Sequence, residues 1–291
     1  MKHRVTHKTI YRYSEPASLS QNELLLQPRQ TVTQQVLQSR LMIAPEPQYL
    51  QQRTDYFGNI THVFMVQQPH NELTMTAASI VETSPPFIPR PETTPAWETV
   101  VRRLADHNQV ADLDAYQFVF ASPFITTGLD AMAYARTSFP AGTPLLLGAL
   151  DLIRRIFTDF KYDKTATTVD TSVDQVLANR KGVCQDFAHL AISCLRSLGL
   201  AARYVSGYLK TTPPPGKPKL IGVDASHAWI SLFVPDEGWV DLDPTNNLIP
   251  IETHIILAWG RDYGDVTPMK GVVMGGGKHT LSVQVDVEEP L

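Results

Sequence analysis

Along the N-terminal part of the chain, apolar and polar side chains alternate, or β-branched and aromatic residues cluster. This holds over Arg4–Tyr13, Gln35–Ile43, Ile60–Gln67 and Glu72–Thr83. A period of two sends successive side chains to opposite faces, so these stretches predict strands. Tyr56-Phe57-Gly58-Asn59 predicts a turn between two of them, because Gly and Asn tolerate positive φ. Residues 1–83 therefore predict an antiparallel β-sandwich. Ser84–Pro95 carries five prolines, which remove backbone donors and favour extended chain, and predicts a linker.

From residue 96 to the end the pattern predicts an α+β domain. Pro95–Asp106 and Gly128–Arg136 predict helices. Pro144–Phe160 is the clearest case, with Leu145, Leu146, Ala149, Leu152, Ile153, Ile156 and Phe157 recurring at helical spacing. Thr171-Ser172-Val173-Asp174 resembles a capping box opening a short helix to Asn179. A helix from Cys184 to Leu198 ends at Gly199, a left-handed stop. Strands return over Ala202–Leu209, His227–Val234, Trp239–Asp243, Val272–Met274 and Thr280–Val287. Thr211–Lys219 is too rich in proline for a ladder and predicts a loop.

Composition narrows the classes. The 291 residues suffice for one large domain or two ordinary ones, and the net charge of −4 is mild and interspersed. No basic stripe suggests nucleic acid, and no apolar run suggests a membrane span or signal peptide. A cytoplasmic protein is expected. The two cysteines form neither a disulfide framework nor a CxxC pair.

Three islands carry candidate chemistry: Gly182-Val183-Cys184 opening a helix, Ser226-His227-Ala228-Trp229 opening a strand, and Asp241-Leu242-Asp243-Pro244-Thr245 closing the next. Thiol, imidazole and carboxylate are the parts of an activated cysteine nucleophile. At a helix N-terminus, unpaired N–H groups and the dipole stabilise a thiolate and can hold an oxyanion. Cys194 lies ten residues on, about 15 Å along the axis, and reads as a buried small hydrophobe. His189 is turned about 140° from Cys184 and reads as structural.

His227, Trp229, Ser231 and Phe233 share one strand face. Pro235-Asp236-Glu237-Gly238 predicts a hairpin turn. With the loop centred on Pro235, Trp229 opposes Asp241 and His227 opposes Asp243, so an Asp–His hydrogen bond follows from register. Asp241 has the same parity and is a second candidate acid. Cys184, His189 and His227 fit no common zinc spacing, and no metal or cofactor is expected.

These residues resemble a known family. Gly182-Val183-Cys184-Gln185-Asp186-Phe187-Ala188, the run from Leu195 to Arg203, His227-Ala228-Trp229 and Asp243-Pro244-Thr245 look like the transglutaminase-like superfamily, in its bacterial branch described as cysteine proteases. Asp55-Tyr56-Phe57-Gly58-Asn59 is similar to that branch's N-terminal accessory domain, and the run from Gly260 to Val266 to its C-terminal signature. The resemblance implies a papain-like core and a triad of Cys184, His227 and Asp243. Tyr162 is a candidate second oxyanion donor; Gln185 and Trp229 are candidate lining residues. Two features depart from animal transglutaminases: Gln185-Asp186 stands where they carry a tryptophan, and no calcium-binding acidic loop is found.

The reading that follows is cysteine-dependent acyl transfer on a carboxamide or peptide bond through a thioester. Hydrolysis is slightly favoured over amine transfer, because an acyl-enzyme open to water hydrolyses. The expected partner is a peptide or protein substrate, with no nucleic acid and no membrane. The alternative is a retired papain-like scaffold that binds peptides or partner proteins. An arylamine acetyltransferase ranks lower, as little in the chain suggests coenzyme A binding.

Overall fold

The first strand, Lys2–Leu24, is the spine of the N-terminal part. The structure, a computed structural model, describes residues 1–211 and 225–289. Five strands come first: β1 (Lys2–Leu24), β2 (Gln34–Ala44), β3 (Tyr49–Thr54), β4 (Ile60–Val66) and β5 (His70–Thr83). They run antiparallel in the order β2-β5-β1-β4-β3. Burial alternates along the start of β1, with His3, Val5 and His7 inside and Lys2 and Arg4 outside, as a one-sided sheet requires.

The second part begins with α1 (Trp97–Asp106), α2 (Val110–Tyr116), α3 (Leu129–Arg136) and α4 (Leu145–Asp159). Then come β6 (Lys161–Tyr162), α5 (Val173–Asn179), β7 (Lys181–Gly182) and α6 (Cys184–Ser197). The chain continues through β8 (Ala202–Leu209), β9 (Ala225–Val234), β10 (Gly238–Leu242), β11 (His254–Gly260), α7 (Tyr263–Val266), β12 (Met269–Gly275) and β13 (His279–Glu288). This is the expected α+β class. The proline-rich loop expected over Thr211–Lys219 lies, beyond Thr211, outside the described residues.

Local chemistry explains the start of α5 and the end of α6. Ser172 accepts from the Gln175 backbone N–H at 3.3 Å, and Gln175 Oε1 accepts from the Ser172 N–H at 3.0 Å, completing a capping box for α5. Helix α4 buries the predicted stripe except Phe157, which is exposed. Helix α6 is buried at every residue from Asp186 to Arg196, as a helix at the centre of a core must be. Gly199 ends it with φ of 85°, and the Leu200 N–H returns to the Leu195 carbonyl at 3.0 Å.

Strands β10-β9-β8-β11 form an antiparallel sheet. Its register fixes two faces. Tyr204 pairs with Ile230 and Ala202 with Leu232; these enter the same core as α6. Arg203 pairs with Ser231, and Ser231 with Asp241, so these share the opposite face.

The edge strand β11 is closed by side chains of the N-terminal part. Gln34 Nε2 donates to the Ile256 carbonyl at 2.7 Å, while Gln34 Oε1 accepts from the Ile256 N–H at 2.8 Å. Asn59 treats Trp259 in the same way, at 2.9 and 3.0 Å. Each side-chain amide imitates a neighbouring peptide group, so the edge has no free ladder there. The Asn59 of the predicted turn thereby joins the two parts.

The last two strands depart from the sequence-based division. Strands β12 and β13 were expected to close the catalytic part; both pair antiparallel with β1, making the N-terminal sheet seven-stranded. Alternation predicts a strand without naming its partner, and here the partner lies more than 240 residues away. Among the described residues no helix is long and apolar enough to cross a membrane.

Candidate active site

Helix α6 opens at Cys184, and its first turn is built by Asp186. The Val183 N–H donates to Asp186 Oδ2 at 2.7 Å, and Thr167 Oγ1 donates to the same oxygen at 2.7 Å. Burial raises the Asp186 pKa, opposed by these two donors. A Cβ at Gly182 would lie 2.8 Å from Asp186 Oδ2, so glycine is what lets the carboxylate fold back over the turn. Gln185 Nε2 donates to the Val169 carbonyl at 3.2 Å. The segment preceding α5 is thus tied twice to the start of α6. Tyr162 lies in β6, paired in parallel with Gly182, and is 46% exposed. Burial and then the charges of Cys184 and Asp186 raise its pKa.

The β9–β10 hairpin brings the imidazole and carboxylate together by a register other than the expected one. Gly238 pairs with Val234 and Asp241 with Ser231, so the loop is centred on Asp236, not Pro235. Asp236 and Gly238 adopt φ of 69° and 89°, left-handed conformations that Asp tolerates and glycine adopts freely. The shift is two residues, so parity survives and the predicted pairs meet diagonally. His227 Nε2 lies 2.7 Å from Asp243 Oδ2, and Trp229 Nε1 donates to Asp241 Oδ2 at 3.0 Å. Trp229 lies over Gly207, where a Cβ would be 2.4 Å from its ring. It packs under the site; it does not line an opening, because it is fully buried.

Asp243 is fully buried and accepts five hydrogen bonds. Oδ2 takes His227, His254 Nε2 at 3.1 Å and Asn246 Nδ2 at 2.7 Å; Oδ1 takes the backbone N–H groups of Thr245 at 2.9 Å and Asn246 at 3.2 Å. Burial opposes its charge, but these donors outweigh it and hold the carboxyl well below the usual range. Burial also opposes a charged His227. Hydrogen bonds and charge from Asp243, and from the Cys184 thiol, overcome it and raise His227 to about 9. His227 therefore bridges Cys184 and Asp243 and carries a proton at neutral pH.

Sequence reasoning missed His254, Asn246 and Thr167. Asn246 follows Asp243 closely and was within reach of a turn argument. His254 opens β11, a strand the alternation pattern did not single out. His227, Asp243 and His254 offer three ligand-type atoms within 4.8 Å of one another. Their separations from Asp243 Oδ2, 2.7 and 3.1 Å, are those of hydrogen bonds to one shared oxygen.

The other expected residues fall into place. His189 is buried, its Nε2 accepts from the Tyr263 N–H at 3.2 Å, and burial lowers it to about 4. Cys194 is fully buried, and burial pushes its thiol up to about 12.

Residues 3–82 match the bacterial transglutaminase-like N-terminal region, and residues 134–244 match the transglutaminase-like superfamily. An uncharacterized protein of Mycobacterium tuberculosis is 42% identical over 98% of this chain and 92% of its own. A protein-glutamine gamma-glutamyltransferase of Pseudomonas aeruginosa is 34% identical over 29% of this chain and 13% of its own length. A solved structure from Cytophaga hutchinsonii, described as a putative cysteine protease, has the same fold. It gives a TM-score of 0.77 at 20% identity, covering 99% of this chain and 90% of that one. The chain belongs to the transglutaminase-like superfamily.

Proposed function

We propose that this member of the transglutaminase-like superfamily is a cysteine acyl-transfer enzyme acting on a carboxamide or peptide bond. The observation that carries the proposal is His227, with Asp243 at 2.7 Å on one ring nitrogen and the Cys184 thiol among its side-chain partners. The Cys184 proton passes to His227 to give a thiolate–imidazolium pair, Sγ attacks the carbonyl carbon, and the oxyanion forms against the N–H groups opening α6, with Tyr162 as the candidate second donor. The imidazolium of His227 gives its proton to the leaving amine, and the C–N bond breaks to leave a thioester on Cys184. Water, deprotonated by His227, then attacks the thioester carbonyl, the C–S bond breaks, and the acid leaves with the thiolate–imidazolium pair restored. Asp243 fixes the ring and stabilises the imidazolium throughout.

Hydrolysis is the favoured outcome, since a half-exposed Cys184 leaves the thioester open to water. Amine transfer is the second reading, favoured by the likeness to the glutamyltransferase. A glutamine peptide with and without a labelled primary amine separates the two. Ammonia release without amine incorporation supports hydrolysis, and incorporation supports transfer. No turnover of any carboxamide or peptide library, with Cys184 unreactive to alkylation, returns the retired scaffold.

A further inference from the structure

The face of the β8–β11 sheet that bears Asp241 and Arg203 also lines a cavity of about 500 Å³, walled in part by the linker. Small-molecule sites span roughly 300–1,000 Å³. Its walls are largely apolar and come from three stretches of the chain: Val32 before β2, Phe87 in the linker, and Trp239, Ile251 and Trp259 of the second part.

The floor is charged. Arg203 is 9% exposed, and its guanidinium carbon lies 3.7 Å from the ring centroid of Trp259 and 4.2 Å from that of Trp239. Among the described residues no hydrogen bond or ion pair involves this guanidinium, and its Nε is buried without a partner. Burial pushes Arg203 down to about 9, with Asp241 opposing and Arg29 assisting the fall, so it remains charged at neutral pH. The indoles recover about 2 kcal/mol of the lost hydration, less than a buried cation forfeits. Packed against two indoles, the guanidinium keeps its N–H groups, which lie in its own plane, for an acceptor such as a carboxylate.

The walls also limit the charge of an occupant. Asp241 and Glu237 line the same cavity. With two carboxylates and one guanidinium in the lining, a phosphate dianion is repelled more strongly than a monoanion that pairs with Arg203. We infer that this cavity is a binding site for an apolar monocarboxylate, its carboxylate on Arg203 and its body along Trp239, Phe87 and Ile251. An occupant would also touch His254, which lines the cavity and holds Asp243 Oδ2 at 3.1 Å. The site stands on its own residues and does not require the proposed reaction.

The test is calorimetric titration of the full chain carrying Cys184→Ala, with N-acetylphenylalanine and with N-acetylphenylalanine amide. The carboxylate should bind at least about tenfold tighter than the amide, the difference a charge-assisted pair makes. Arg203→Met should erase that preference. Should Arg203→Met fail to fold, Ile251→Glu decides: this rim residue is 53% exposed, and the added charge should weaken the carboxylate about tenfold while sparing the amide. Absence of binding by either probe, equal binding of both, or a preference that survives in the folded variants would overturn the inference.

Discussion

Two positions on α6 hold the same atom in opposite surroundings. Cys184 stands in the first turn, half-exposed, with His227 as a partner. Cys194 lies ten residues further along, fully enclosed, among apolar side chains of the core. One thiol meets unpaired N–H groups and an imidazolium; for the other, low dielectric outweighs the charges of Arg155 and Arg180 and favours the neutral form. Reactivity is therefore a property of position along one helix, not of cysteine itself.

The sharpest way to break this contrast is to remove each sulfur in turn. Cys184→Ala should abolish turnover and leave the fold intact, because the partly buried side chain loses a single sulfur atom. Cys194→Ser should leave turnover per folded molecule unchanged and cost about 1–3 kcal/mol of stability, the penalty of a buried hydroxyl without a partner. Activity assays and urea midpoints read both. Loss of activity in folded Cys194→Ser would mean that the two thiols are not functionally distinct.

Next in size is the acid. Asp243→Asn should lower turnover by a factor on the order of 10³–10⁴ with the shape retained. Asp241→Asn should stay within about tenfold, since Asp241 bonds Trp229 and not His227. Exchanged phenotypes would transfer the role to Asp241.

The pH profile sharpens the same point. His227 is raised above its ordinary value, so its proton is held until pH passes about 9. Turnover should fall on the alkaline side near that value, as the leaving amine loses its acid. The sign for stability is the same: the charged pair contributes fully below about pH 6.5, the ordinary histidine value, and the contribution is lost as pH rises through about 9. Asp243→Asn should move the alkaline limb downward, because Asp243 is the main group raising His227. An unmoved limb would assign it to another residue.

The smallest expected effect is Gly182→Ala. The new Cβ would crowd Asp186 Oδ2 at 2.8 Å and loosen the bond from the Val183 N–H. Loss of such a cap costs about 0.5–2 kcal/mol, and Cys184 should be alkylated more slowly as its turn loosens. A variant with unchanged melting temperature and labelling rate would show that Asp186 does not set the turn.

The contrast between the cysteines was legible in the sequence because it depends on local order. Glycine before, apolar spacing after, and Gly199 at the end fix where α6 starts and stops. The hairpin was half legible. Parity gave the right face and the right side-chain pairs, while the loop centre was misplaced because positive φ at Asp236 is not written in the residue type. His254 and the partners of β12 and β13 were illegible for one reason: each depends on contacts between distant strands. Tyr162 beside Gly182 arises from a two-residue parallel pairing too short to leave a pattern.

The central claim is that Cys184, not Cys194, is the activated thiol. Timed iodoacetamide labelling of the native chain near pH 7, mapped by peptide mass spectrometry, reads it directly. The account predicts that Cys184 is alkylated orders of magnitude faster than Cys194, and that His227→Ala slows Cys184 while leaving Cys194 unchanged. Equal labelling of the two cysteines in the folded protein, or a Cys184 rate indifferent to the loss of His227, would contradict it.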